Sequence, residues 1–523
     1  MRRRLAAIAL AAVLSVAACS APADEVGMIP TSAAKGESAF VYAQHLDVIT
    51  DWDPATSYSN EVKVLQNVYE TLTIWDPVNK KAGPRLATSW KATSDGRTWT
   101  FNLRQGVRFH SGRELDATAV KQAIERTMKL GQGASYVWDA VETIRVNDPH
   151  SITFGLKYAA PLDLAASAAY AAYIYDTSVV EKVRDGKTDA GSGPYTIANW
   201  DKGGEHQVTL KAFDGYWGGW DGPHYRSIRY RVVPEPERRW ELLQNGQVSF
   251  VDRLSPRLFA EARRTPGVRV AATPSFQTAM LLFNTREGPM RDPRVRKAVQ
   301  RVIDYPRVIA SLRGAGTATS GIVPAGLPGH VRNRVPRQHL EQARLLLQNA
   351  GHGPGGRPLT LTLTYADGDA DQQMLVSMLT AALKELNVTL DADAMPWLEQ
   401  WDRGKKGDQD IFFMYWWPDY ADGYSWLGNV FRSKDPVVFN LTYLKDQVAD
   451  NQIDQLPILS VTDRSAAEET VADLTERLLD QRTVAVFPWV VRYQRAYLGT
   501  VAGYDDNPAY PDVVFVYDLR PAA

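Results

Sequence analysis

Residues 359–386 read LTLTLTYADGDADQQMLVSMLTAALKEL, and residues 411–420 read IFFMYWWPDY. Leu359, Leu361 and Leu363 alternate with Thr, a period of two that predicts a strand with one buried face. Met374, Leu375, Met378, Leu379, Ala382, Leu383 and Leu386 then recur at helical spacing. Ile411 to Trp417 is apolar and aromatic throughout, as expected of a strand buried on both faces. A second helical stripe, Ala467, Val471, Leu474 and Leu478, precedes the strand-like Val484 to Val491. From Leu359 onward the chain reads β-α-β-α-β, which predicts an α/β fold.

Upstream, the same two periods recur. Trp99, Phe101 and Leu103 alternate with polar residues after an Asp95-Gly96 turn, the pattern of a hairpin strand. Asp116 is placed to cap a helix carrying Val120, Ala123, Ile124 and Met128 on one side. Asp292 and Pro293 open another, with Val295, Ala298, Val299, Val302 and Ile303 on its apolar face. Gly191–Pro194, Gly314–Gly329 and Gly351–Pro358 are rich in Gly and Pro and read as candidate junctions.

The length of 523 residues suggests about three lobes at roughly 150 residues each. A formal charge of -1 argues against a nucleic-acid groove, which needs a basic surplus to release counterions. The single Cys excludes an internal disulfide, a CxxC pair and a multi-Cys zinc site. Arg2, Arg3 and Arg4 precede an apolar run from Leu5 to Ala18, the two regions of a secretory signal. The run is shorter than the about 20 residues of a membrane span. It ends Val16-Ala17-Ala18-Cys19, which resembles the bacterial lipobox, where cleavage precedes a lipid-modified Cys. The alternative is a secreted protein whose Cys is incidental. Loss of residues 1–18 removes three Arg and leaves a mature charge of -4. Residues 19–38, with Ala, Ser, Pro and Gly and no periodicity, read as a flexible tether.

Local motifs of catalysis are missing. The chain contains no GxxxxGK[ST], HExxH or GxSxG, and no two of its eight His lie within five residues. No metal or cofactor is expected. Among the 15 Trp, Trp416, Trp417, Trp397, Trp401, Trp426, Trp217, Trp220 and Trp240 lie beside polar or turn residues, suited to a wet pocket or to packing. In Tyr415-Trp416-Trp417-Pro418-Asp419-Tyr420 an aromatic strand stops at proline and delivers a carboxylate. Ligands of α/β proteins bind outside the carboxyl ends of strands, and an acid among aromatic rings suits an ammonium group. Asp419 is equally placed to cap a following helix.

Several stretches resemble the bacterial extracellular solute-binding protein family 5, which includes oligopeptide-, dipeptide- and nickel-binding lipoproteins of ABC importers. They are Pro84-Arg85-Leu86-Ala87-Thr88-Ser89-Trp90, Asp95-Gly96-Arg97-Thr98-Trp99-Thr100-Phe101 and Leu103-Arg104-Gln105-Gly106-Val107-Arg108-Phe109-His110. Gly191-Ser192-Gly193-Pro194-Tyr195, Asp214-Gly215-Tyr216-Trp217-Gly218-Gly219, Phe283-Asn284 and Asp292-Pro293-Arg294-Val295-Arg296 continue the series. The resemblance implies two α/β lobes of the periplasmic-binding-protein type joined by a hinge, with an extra subdomain on the first. The expected division is 1–18 signal, 19–38 tether, 39–282 first lobe with a subdomain over about 80–190, 283–490 second lobe, and 491–523 returning to the first.

The resemblance also implies a receptor that closes on short peptides and delivers them to a membrane permease without doing chemistry. It is expected to be a monomer held outside the cytoplasm by a lipid on Cys19. Asp419 matches a carboxylate that pairs with a peptide's α-amino group, and Trp416 and Trp397 match aromatic contacts of that pocket. Trp417 matches a Trp of nickel-binding members, and Tyr420 completes the aromatic stretch. Two departures stand out: the family's Asp-Pro is Asp422-Gly423 here, and the position of an Arg in some oligopeptide binders is Phe413. Arg492 is the candidate substitute for holding the peptide carboxylate. The competing expectations are another cargo, such as a nickel chelate or an oligosaccharide, and a secreted lipoprotein hydrolase.

Overall fold

The computed structural model describes residues 39–522, apart from 46–48, 50, 205–206, 333, 335 and 354. The expected signal, tether and Cys19 lie outside the described residues. In chain order the principal elements begin with β1 (Ala39–Gln44), α1 (Val62–Val68), β2 (Ala87–Ala92), β3 (Thr98–Leu103), α2 (Ala117–Leu130), β4 (Val141–Asp148) and β5 (Ser151–Leu156). Next come β6 (Tyr195–Trp200), β7 (Val208–Ala212), β8 (Ser227–Val232), β9 (Phe250–Asp252), α3 (Pro256–Ala262), β10 (Val268–Phe283) and α4 (Pro293–Val302). The chain continues with β11 (Leu359–Ala366), α5 (Ala370–Lys384), β12 (Val388–Met395), α6 (Trp397–Lys406), β13 (Ile411–Trp416), α7 (Gln447–Thr462), α8 (Arg464–Thr475) and β14 (Val490–Leu498).

One twelve-stranded sheet runs in the order β12–β11–β13–β10–β14–β9–β1–β8–β7–β6, with two short strands pairing at its side. β8 and β9 are parallel to β1, and β12 and β13 are parallel to β11. Two long antiparallel strands join these sets. β10 pairs with β14 from Val268 to Pro274, shifts register before Thr278, and pairs with β13 from Thr278 to Phe283. Trp416 lies opposite Thr278, so β13 points its carboxyl end at that shift. β9 pairs antiparallel with β14, from Phe250 opposite Tyr497 to Asp252 opposite Arg495, so it approaches the shift from the other side. Both parallel sets therefore aim their carboxyl ends at one place, residues 274–278.

The expected elements form where the patterns put them. Asp116 accepts a hydrogen bond from Ala119 N–H at the start of α2, and Asp292 accepts one from Arg294 N–H at the start of α4. β2 and β3 make the hairpin around Asp95-Gly96, within a separate four-stranded sheet ordered β2–β3–β5–β4. Between the predicted helix and the strand at 411 the structure adds two elements that had no clear signal, β12 and α6. β12 is the edge strand of the sheet, and its half-exposed VTLDADAM reads weakly because one flank has no partner. The predicted strand over 484–491 resolves into a two-residue strand, Ala485–Val486, and the start of β14.

Gly191–Pro194 is buried and packs against the end of α1. Gly193 N–H donates to the Val68 carbonyl at 2.9 Å, and a Cβ on Gly191 would collide with that same oxygen. The glycines are there for close approach of two backbones. Several other motifs of the first 220 residues meet at Glu70, which is 1% exposed. Ser192 Oγ donates to it at 3.0 Å, Trp217 Nε1 at 3.1 Å and Tyr216 Oη at 3.3 Å, and Arg85 pairs with it at 3.4 Å. The Arg104 guanidinium lies 3.8 Å over the Trp217 ring. On the other lobe Arg296 is held by four carbonyls, of Met290, Arg291, Arg482 and Thr483.

Removing the Glu70 carboxylate leaves Arg85 buried without its ion partner. Glu70→Ala is expected to lower stability by about 3–5 kcal/mol, read as a shift of the urea midpoint. A loss below about 1 kcal/mol would remove Glu70 from that role.

Candidate functional site

Asp419 leaves the carboxyl end of β13 three residues after Trp416, at the place where the parallel strands converge. Pro418 ends the strand because it has no N–H for the ladder. The carboxylate is 7% exposed and is met by side chains from two distant parts of the chain. Tyr136 Oη donates to Oδ1 at 2.9 Å. Asn429 Nδ2 and Ser425 Oγ donate to Oδ2 at 2.9 and 3.1 Å. The backbone joins in: Asp419 N–H donates to Ser425 Oγ, and the Asp419 carbonyl accepts from Ala169 N–H, both at 2.9 Å.

Asp419 does not cap the following helical turn. Asp422 does so, its Oδ1 accepting from Tyr424 N–H at 2.8 Å. A carboxylate offers about four acceptor directions, and three are used here, so one on Oδ1 stays open. Burial pushes the Asp419 carboxyl up to about 6, with the Tyr136, Ser425 and Asn429 donors opposing that rise.

A continuous aromatic wall leads from this acid. The Tyr136 ring meets Phe439 edge-on at 6.0 Å, Phe439 meets Trp416 at 5.2 Å and Trp401 at 5.6 Å, and Trp401 stacks on Trp397 at 5.5 Å. Trp416 is oriented by its Nε1, which donates to the Ser425 carbonyl at 3.2 Å. Trp397 sits at the first position of α6 and keeps 45% of its surface exposed, an apolar plate open to a ligand. The structure thus links Asp419, Trp416 and Trp397 through Phe439, Trp401 and Tyr136.

Other residues picked from the sequence lie differently. Trp417 and Tyr420 pack half-buried against the large core. Phe413 faces the opposite side of β13, buried against Trp489 at 5.8 Å. Arg492 lies on β14 opposite Pro274, and its guanidinium donates to the Ala272 carbonyl at 2.5 Å, within its own sheet. Trp217, Trp220, Trp240 and Trp426 each donate to a protein acceptor, Glu70, Phe213 O, Glu261 and Thr278 Oγ1 respectively, and serve packing.

Tyr136, Ser425, Asn429 and Phe439 were not singled out in the sequence, and Trp401 was named only among the tryptophans beside polar or turn residues. Ser425 and Asn429 are four apart, on one face of a helical turn, and that spacing was the available signal. Tyr136 carried none, since 283 residues separate it from Asp419. Among the described residues no group of three or more His, Cys, Asp or Glu is placed to hold a metal ion, and no helix is long and apolar enough to cross a membrane.

Comparison with known proteins places the chain in a family. A probable D,D-dipeptide-binding periplasmic protein from Escherichia coli (strain K12) is 26% identical over 438 residues, covering 82% of this chain and 83% of its own. The structure of the periplasmic binding protein DppA from Helicobacter pylori, in complex with the peptide STSA, superposes with a TM-score of 0.80 at 20% identity. It spans 93% of this chain and 98% of that one. NikA from Brucella suis in complex with Fe(III)-EDTA gives a TM-score of 0.81 at 22% identity, over 93% of this chain and 100% of the other. The fold is thus the two-lobed α/β fold of these binding proteins. Residues 81–436 match the model of the bacterial extracellular solute-binding proteins, family 5, and the chain belongs to that family.

Proposed function

We propose that this protein is the substrate-binding lipoprotein of an ABC importer, that it captures short peptides between two closing lobes, and that it hands them to a membrane permease. The observation that carries this reading is Asp419: a buried carboxylate with one open acceptor, set among aromatic rings at the convergence of the strands. A ligand ammonium fits that acceptor, and the wall from Trp416 to Trp397 takes its side chains. The peptide-binding relatives support the cargo, and binding rather than turnover is the work assigned to the site.

In the same reading residues 39–282 form the first lobe, 283–490 the second, and 491–523 return to the first. Tyr136 and Ala169 then reach across from the first lobe to Asp419 of the second, so their bonds form on closure. A ligand favours the closed state by the amount it binds that state better. The anchor is assigned to Cys19, with the leader of residues 1–18 removed.

Asp419→Asn is expected to weaken binding of a di- or tripeptide by about 2–5 kcal/mol, since the ammonium would be buried without its counter-charge. Calorimetry that returns an unchanged affinity rejects the role. Mass spectrometry of ligand carried through gentle purification identifies the cargo; a metal chelate or sugar there would replace the peptide.

The raised carboxyl adds a pH signature. An ammonium needs the ionised form, so peptide affinity should fall about tenfold per pH unit below about 6. The profile should be flat in Asp419→Asn. Stability without ligand has the same origin. Because the folded value exceeds the unfolded one near 3.9, the folded state holds the proton longer, and stability relative to Asp419→Asn falls as pH rises from about 4 to about 6. Finally, Cys19→Ser should move the protein from the membrane fraction to the soluble one.

A further inference from the structure

A second concentration of charge lies away from Asp419. Residues 253–269 contain five Arg, at 253, 257, 263, 264 and 269, against one acid, Glu261, in a protein whose total charge is -1. α3 and the loop after it line a groove of about 600 Å³ with Arg257, Arg263 and Arg264, and Arg313 closes it from a different part of the chain. All four guanidinium-bearing residues are exposed. Among the described residues Arg263, Arg264 and Arg313 make no ion pair; Arg263 rests over the Phe259 ring at 4.9 Å. The one acid is already engaged. Glu261 accepts from Trp240 Nε1 at 2.9 Å and sits 3.6 Å from Arg257.

We propose that this groove is a docking surface for an acidic polypeptide segment of the membrane permease, an inference that rests on the transport reading above. Charge complementarity names the chemistry. The groove is lined by Arg with no Lys, and planar guanidinium forks match carboxylates in paired hydrogen bonds. The concave shape takes a chain segment, whereas a planar headgroup surface contacts only its rims.

Position supplies the logic. α3 belongs to the first lobe in the division proposed above, and Arg313, held at a left-handed φ of 48°, belongs to the second. Arg313 precedes the short strand Gly316–Thr317 that pairs with β14, beside the register shift of β10. The spacing between Arg313 and the α3 arginines therefore follows the hinge. A partner that needs both sides binds the closed receptor better than the open one, and so distinguishes loaded from empty.

The test uses the full mature chain with fluorescein-labelled poly-Glu and poly-Gln peptides, read by anisotropy. The expected result is salt-sensitive binding of poly-Glu and not of poly-Gln, tighter when transport ligand is present. Arg263→Glu with Arg264→Glu, and separately Arg313→Gln, should each weaken it about tenfold or more. Both variants should bind transport ligand with unchanged affinity in calorimetry, yet lose stimulation of the reconstituted permease's ATPase. Unaltered poly-Glu binding, or full ATPase stimulation by the variants, overturns the proposal. So does sedimentation with phosphatidylglycerol vesicles that the variants abolish while poly-Glu goes unbound, since that assigns the groove to a lipid surface. Failure of the wild type to bind any peptide ligand counts instead against the reading of Asp419, and leaves the groove's own result legible.

Discussion

Two strands hold this protein together and set where it acts. β10 pairs with β13 of one parallel set and β14 with β9 of the other, and their pairing with each other is the antiparallel link between those sets. Their pairing breaks register between Pro274 and Thr278. A paired strand resists shear but bends most readily where its ladder is interrupted, so the shift is the point of the link least constrained by pairing. Because both parallel sets run toward the shift, their carboxyl ends and the loops that follow point at it. The site follows from topology before any side chain is chosen.

The most recognisable sequence motifs have another role. Arg85, Ser192, Tyr216 and Trp217 come from three separate motifs and converge on one buried carboxylate, Glu70, with Arg104 stacked behind. Asp292 and Arg296 likewise bind backbone. These residues are specific because a buried charge must have partners with the right reach. They identify the fold and leave the ligand unspecified. The residues gathered around Asp419 sit in less patterned stretches, outside the motifs that identify the fold.

At Asp419 the protein tolerates a carboxyl whose ionisation burial opposes. Three donors offset part of that cost, and the remaining acceptor is where a cation is worth most. The aromatic wall excludes water without dictating side-chain shape, which suits a receptor for varied cargo. Tyr136 and Ala169 bind Asp419 from far along the chain, so this one residue ties distant segments together.

The amino-acid sequence by itself determined the α/β class and the positions of α2, α4, α5, β3, β11 and β13, because alternation and helical spacing are local properties. It also drew notice to Trp416 and Asp419, since an aromatic strand ending in Pro and Asp is written in consecutive letters, whereas Trp397 was tied to them only by the family resemblance. It overlooked β10, the long strand at the register shift, and β12, an edge strand with a diluted pattern, and it did not show that Gly191–Pro194 is buried, because glycine serves flexible links and close packing alike. Only the tertiary structure decided that Arg492 binds its own sheet, that most tryptophans serve packing, and that Tyr136, Asn429 and Ser425 surround Asp419. The reason is physical. Periodicity reports which face of an element is buried, but which distant side chain completes a buried charge depends on the path of the chain between them.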